Sequence, residues 1–188
     1  MLDTVTMRTA DMPEEMRLLL NTYPRDSWDT HPGFKEKTQA WMRAHEMFRQ
    51  LARKVRLDSE GWLDQTVDDD DYARDLSRFG GALVGNLHGH HGWEDHSYFP
   101  ELSAADSRFD AGLDLLEKDH ADLDQVLDTF TRQANRVIQL MRLDPGQVRD
   151  EVGPLHGTAE TIEVFLKRHL SDEEDLAVPI ILHHRLRG

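Results

Sequence analysis

Four stretches of the chain repeat apolar residues at steps of three and four, the period of one face of an α-helix. The first stripe is Trp41, Ala44/His45, Phe48, Leu51/Ala52 and Val55; the second is Leu76, Phe79, Leu83, Leu87, His90, Glu94 and Tyr98. The third runs Leu113, Leu116, His120, Leu123, Leu127, Phe130, Ala134 and Val137. The fourth runs Val152, Leu155, Ala159, Ile162, Leu166, His169, Glu173, Leu176 and Ile180. Breaks separate them at Asp68–Asp71, at Ser103–Ser107 and at Asp144-Pro145-Gly146; the first places acidic residues where they suit the positive end of a helix. Pro100 and Pro179 are expected to kink or end their helices. Alternating strand patterns are weak and no hairpin dipeptides join them. The pattern predicts an all-α protein: an antiparallel up-down-up-down four-helix bundle over residues 36–188, preceded by an arm over 1–35. Within the arm, residues 13–20 read as a short helix.

The polar residues inside these stripes say more than the apolar ones. His45, His90, Glu94, His120, His169 and Glu173 all fall on inward positions, and an unpaired buried carboxylate is costly. In an antiparallel hairpin, residues equidistant from the turn lie at one level. The midpoint of 120 and 169 falls at Asp144-Pro145, that of 90 and 120 inside Ser103–Ser107, and that of 45 and 90 at the edge of the Asp run. Four histidines, one per helix, are therefore expected in one layer. His90 and Glu94 are spaced i, i+4, as are His169 and Glu173, which puts each pair on one helix face. The surroundings repeat too: HHGWEDHSYFP (90–100) and HLSDEEDLAVP (169–179) each carry carboxylates at +4 and +5 and proline at +10. The chain reads as two similar halves enclosing a two-metal centre.

The other histidines are assigned ordinary roles. His31 lies in the arm, His156 near the start of the fourth helix, and His183 and His184 at its tail; His88, His91 and His96 are placed on the solvent or rim side. A rival frame, His91-x3-Asp95, is set aside because its stripe is more polar and breaks the proline register. Trp41 and Trp93 read as packing residues, and Asp172, Glu174 and Asp175 as solvated rather than as outer partners of the ligands. Tyr98, one turn past Glu94, is the one proton donor in view, with a core aromatic as its plainer reading.

The chain has no cysteine, which excludes thiolate zinc, iron–sulfur and Cys-nucleophile chemistry. Imidazoles and carboxylates without sulfur suit iron, manganese or zinc. Two carboxylates between two His pairs suit bridging. With about twelve octahedral positions on two metals, this set leaves room for a shared oxo or hydroxo bridge and an open position on each. The formal charge of −14 repels phosphates, so neither nucleic acid nor an anionic membrane is an expected partner. No stretch approaches the ~18 apolar residues of a membrane helix and no secretory leader is visible. A cytoplasmic protein is the simplest expectation.

The ordered set His45, His90-x3-Glu94, His120, His169-x3-Glu173, with F-P or V-P after each acidic cluster, resembles the hemerythrin-like HHE cation-binding family from about Lys35 to Arg185. The resemblance implies a non-haem di-iron centre, with the four histidines as terminal ligands and Glu94 and Glu173 as bridges. Two departures stand out. Oxygen-carrying hemerythrins have a further histidine four residues after the third-helix ligand, where this chain has Asp124, and their last helix carries His-x4-Asp. Members proposed to handle nitric oxide or repair iron–sulfur clusters often carry an N-terminal cysteine segment, absent here. A ferritin-like site needs two Glu-x-x-His motifs, and only Glu117-x-x-His120 fits. Three functions remain: binding or sensing dioxygen, peroxide or nitric oxide; redox turnover of peroxide or nitric oxide; and a structural or iron-storage site.

Overall fold

A computed structural model describes residues 7–186; residues 1–6 of the expected arm and 187–188 of the expected bundle lie outside the described residues. No strand occurs among the described residues. Helix α1 is Glu36–Leu63. The second span is a relay: α2 (Asp69–Asp75), a π-helical turn (Leu76–Gly80), α3 (Gly81–Trp93), a second π-helical turn (Glu94–Tyr98) and α4 (Phe99–Ala105). Helices α5 (Asp110–Leu143) and α6 (Val148–His184) complete the bundle. Around it, α1 packs on α3 and α6, and α5 packs on α3 and α6.

Local chemistry accounts for the boundaries. The Asp68 side chain accepts from Asp71 N at 2.9 Å, an N-cap that starts α2. Asp106 caps the short turn before α5 in the same way. Gln65 and Arg185 take left-handed backbone conformations, with φ of 60° and 54°, just past the ends of α1 and α6. Pro100 sits in the first turn of α4, where its missing N–H does no harm. Pro179 does not end its helix: α6 runs on to His184 with Pro154 and Pro179 inside it. The segment from Leu176 to Leu182 is buried on every side, and that packing outweighs the ~3 kcal/mol an interior proline costs.

The all-round burial comes from the arm. Instead of one short helix, residues 14–30 form three 3-10 turns. The second of them packs on α6, and Met12 and Trp28 of the arm join the buried cluster around Leu176 and Leu182. The apolar interior falls into two blocks, one around Phe48, Leu87, Leu123 and Leu166, the other around Trp41, Tyr98, Leu116 and Leu176. Between these residues in sequence, on every long span, sit the buried polar side chains.

Candidate metal centre

The expected layer forms. His45 from α1, His90 from α3, Glu94 from the second π-turn, His120 from α5, and His169 and Glu173 from α6 converge between the apolar blocks. Glu94 and Glu173 are fully buried, as are His45 and His169. The carboxylates face both ways. Glu94 Oε1 lies 3.0 Å from His90 Nε2 and 3.8 Å from His45 Nε2, while its Oε2 lies 3.7 Å from His120 Nε2. Glu173 Oε1 lies 3.1 Å from His120 Nε2 and 3.3 Å from His169 Nε2, while its Oε2 lies 3.6 Å from His45 Nε2. Each glutamate thus offers one oxygen to each of two imidazole groups.

His91 belongs to this layer, contrary to the rim position expected for it. It is buried, stacks on His120 with ring centroids 3.9 Å apart and planes 7° apart, and groups with His120 and His169. The reason is angular. Successive helix residues point 100° apart, and an inward face is at least that wide. From Leu87, a step of three reaches His90 and a step of four reaches His91, so the two straddle the face. The set-aside frame also supplied Asp95, whose Oδ1 lies 2.7 Å from His120 Nδ1.

Outer carboxylates orient three of the five imidazoles. His45 Nδ1 donates to Glu174 Oε1 at 3.1 Å, His120 Nδ1 to Asp95, and His169 Nδ1 to Asp119 Oδ2 at 3.3 Å. A proton so placed on Nδ1 leaves the Nε2 lone pair aimed inward, the arrangement typical of metal-binding histidines. Trp41, expected only to pack, also donates Nε1–H to Glu94 Oε1 at 2.6 Å. Asp172, Glu174 and Asp175, expected to be solvated, are buried. Asp119 adjoins His120, and that adjacency was its only signal; Glu174 is the +5 carboxylate of the repeat, the counterpart of Asp95. Tyr98 is buried, its ring 5.3 Å from Trp41 and 5.0 Å from Trp93.

The electrostatics match a cation. Burial pushes the Glu173 carboxyl up, but the adjacent His169 charge and the bond from His120 hold it well below the usual range. Burial and the Glu173 charge oppose ionisation of Glu94, yet the nearby His45 and His90 imidazoles keep it lowered. Burial works against the His45 imidazolium, but Glu174, Glu94 and Glu173 outweigh it and carry it up to about 9; Asp95, Glu173 and Glu94 carry His120 up to about 10 in the same way. Two ionised carboxylates are thus balanced by protons that a bound metal would displace. His91 goes the other way: burial, then repulsion from His120 and His169, lower it well below the ordinary value and keep it neutral. Both its ring nitrogens, His169 Nε2, Glu94 Oε2 and Glu173 Oε2 are buried without a hydrogen-bond partner among the described residues. Such orphaned atoms are rare unless something else satisfies them. Their clustering, with nitrogen and oxygen donors only, fits a metal ion.

The family model for the hemerythrin HHE cation-binding domain matches residues 36–181. The chain belongs to this family. The HHE domain so matched includes every residue of the polar layer and none of the arm. Comparison with curated proteins and with solved structures finds no significant match. No helix among the described residues is long and apolar enough to cross a membrane.

Proposed function

We propose that this HHE domain holds two iron ions and binds or senses a small oxidant, namely dioxygen, peroxide or nitric oxide. The observation that carries the dinuclear reading is the two-way presentation of Glu94 and Glu173, each with one oxygen toward either imidazole group. His45 and His90 would hold one ion, His91, His120 and His169 the other, with both glutamates between them. The order in which the spans cross the two apolar blocks supports an up-down-up-down run: α1 and α5 pass from the Trp41 block to the Phe48 block, and the second span and α6 return.

When bound, such a pair supplies ferrous–ferric electron transfer to a small ligand. The protein's part is to hold the donors, exclude bulk water and control approach. His45 and His90 offer one imidazole fewer than the other group, which leaves more room for an external ligand there. His90 is also the ligand nearest solvent, its side chain 10% exposed against 0–2% for His45, His120 and His169. A small molecule would enter past His90.

Turnover of peroxide or nitric oxide is the second reading, favoured by Tyr98. Its ring packs on Trp41, which hydrogen-bonds Glu94, so it stands one side chain from the centre. Metal analysis and the absorption spectrum of air-purified protein test the main proposal, with about two irons per chain and near-ultraviolet oxo-bridge bands expected. Zinc, or no metal, overturns it. Peroxide challenge then separates the readings: one stable adduct supports binding, and many turnovers that fall in Tyr98→Phe support the enzyme.

A further inference from the structure

The arm lies outside the family match, yet two of its arginines reach the carboxylates that orient the imidazoles. Arg8 Nη2 lies 2.5 Å from Asp119 Oδ2 and 2.8 Å from Asp172 Oδ2, with Arg8 Nε at 3.3 Å from Asp119 Oδ1. Asp119 is the acceptor for His169 Nδ1. Arg25 Nη1 lies 2.8 Å from Glu174 Oε2 and Arg25 Nε 2.6 Å from Asp175 Oδ1. Glu174 is the acceptor for His45 Nδ1. One arginine therefore stands behind one histidine in each imidazole group. The backbone joins in: Met12 N donates to Asp172 Oδ1 at 3.0 Å.

We propose that Arg8 and Arg25 are positioning residues for the metal centre, so that docking of the arm and retention of metal are thermodynamically coupled. The proposal rests on the reading that the layer binds metal. A carboxylate held by several donors cannot swing away from its imidazole. Asp119 accepts from Arg8, Arg168 and His169, and Glu174 from Arg25, Arg49 and His45. Removing the arm's donor lets the carboxylate relax toward solvent, and the histidine loses the partner that aims its Nε2 inward. Coupling is reciprocal. Metal that fixes His45 and His169 must in turn stabilise Glu174, Asp119 and the arm on them.

The sign of the effect separates this from simple electrostatics. Arg8 and Arg25 are cations near a cation site, so on charge alone their removal should tighten metal binding. Positioning requires the opposite. Loss of outer partners typically weakens metal binding about 10–100-fold, and for a group one step further out about tenfold is expected.

The test uses the full chain loaded anaerobically with iron(II). Metal loss to a chelator is followed for wild type, Arg8→Ala, Arg25→Ala and Arg17→Ala, with helicity checked by circular dichroism. Among the described residues Arg17 pairs with Asp175 and with no carboxylate that accepts from a histidine, and it serves as control. Release is expected about tenfold faster in Arg8→Ala and Arg25→Ala and unchanged in Arg17→Ala, with Arg8→Lys restoring only part because it lacks the fork. Hydrogen exchange of residues 7–30 in wild type needs no variant, and is expected to slow when iron is added. Unchanged or slower release in the folded variants, or arm exchange indifferent to iron, overturns the coupling and leaves the metal reading intact. Should the wild type take up no iron, the metal reading fails and this proposal falls with it. If the alanine variants do not fold, the exchange experiment alone decides.

Discussion

Replacing His91 by phenylalanine should move stability and metal content in opposite directions. Without metal, His91 is a neutral imidazole with two buried nitrogens that no protein atom satisfies. Each such group costs about 1–3 kcal/mol. Phenylalanine removes both and keeps the stack on His120, while fitting one more ring atom costs about 1 kcal/mol. The metal-free variant should thus gain about 2 kcal/mol, a rise in Tm of roughly 4–8 °C for a chain of this size. On the proposed centre the same change would delete a direct ligand and should cost more than the ~100-fold upper range for outer partners. Thermal unfolding by circular dichroism with chelator present reads the first effect, and elemental analysis of iron per chain reads the second. A variant no more stable without metal, and holding two irons as tightly as wild type, would refute the reasoning at both ends.

Glu94→Ala and Glu173→Ala each remove one two-way carboxylate, and each should fall below two metals per chain; two retained in both variants would sink the bridging assignment. Trp41→Phe deletes a 2.6 Å bond to the Glu94 carboxylate and should destabilise the metal-free protein by about 1.5–3 kcal/mol in urea titration. Tyr72 is pushed up to about 12, chiefly by burial, with the Ser59 bond partly opposing. A raised folded pKa means stability that is full below the unfolded value of about 10 and lost as pH rises through 12, in total on the order of 3 kcal/mol. Tyr72→Phe should flatten that alkaline loss, because Ser59 keeps its bond to Val55 O; an unchanged profile would count against it.

The level arithmetic worked because it depends only on loop positions, and Asp68, Asp144 and the 103–107 break mark those locally. It placed His45, His90, His120 and His169 together without any knowledge of packing angles. It failed at His91 because a one-dimensional stripe forces a choice between adjacent residues that a wide helix face does not make. The carboxylates of α6 were misread for another reason. Asp172, Glu174 and Asp175 look solvated until the arm is laid over them, and Arg8 and Asp119 are 111 residues apart in the chain. No periodicity links them. Pro179 is continued through for the same cause: the packing around that part of α6 includes Met12 and Trp28, from the other end of the sequence.

Helix α6 packs on α1 and α5, gives the arm its bed, and supplies His169 and Glu173. Of the bundle spans it is the last to be synthesised. Chains emerge at about 5–20 residues per second, so for several seconds the arm has nothing to dock on and Glu94 has no opposite carboxylate. Before α6 emerges the nascent chain can gather His45, His90, His91 and His120, but it lacks His169 and Glu173. Completion of the polar layer and docking of the arm therefore both wait for α6, and the two become possible in the same interval.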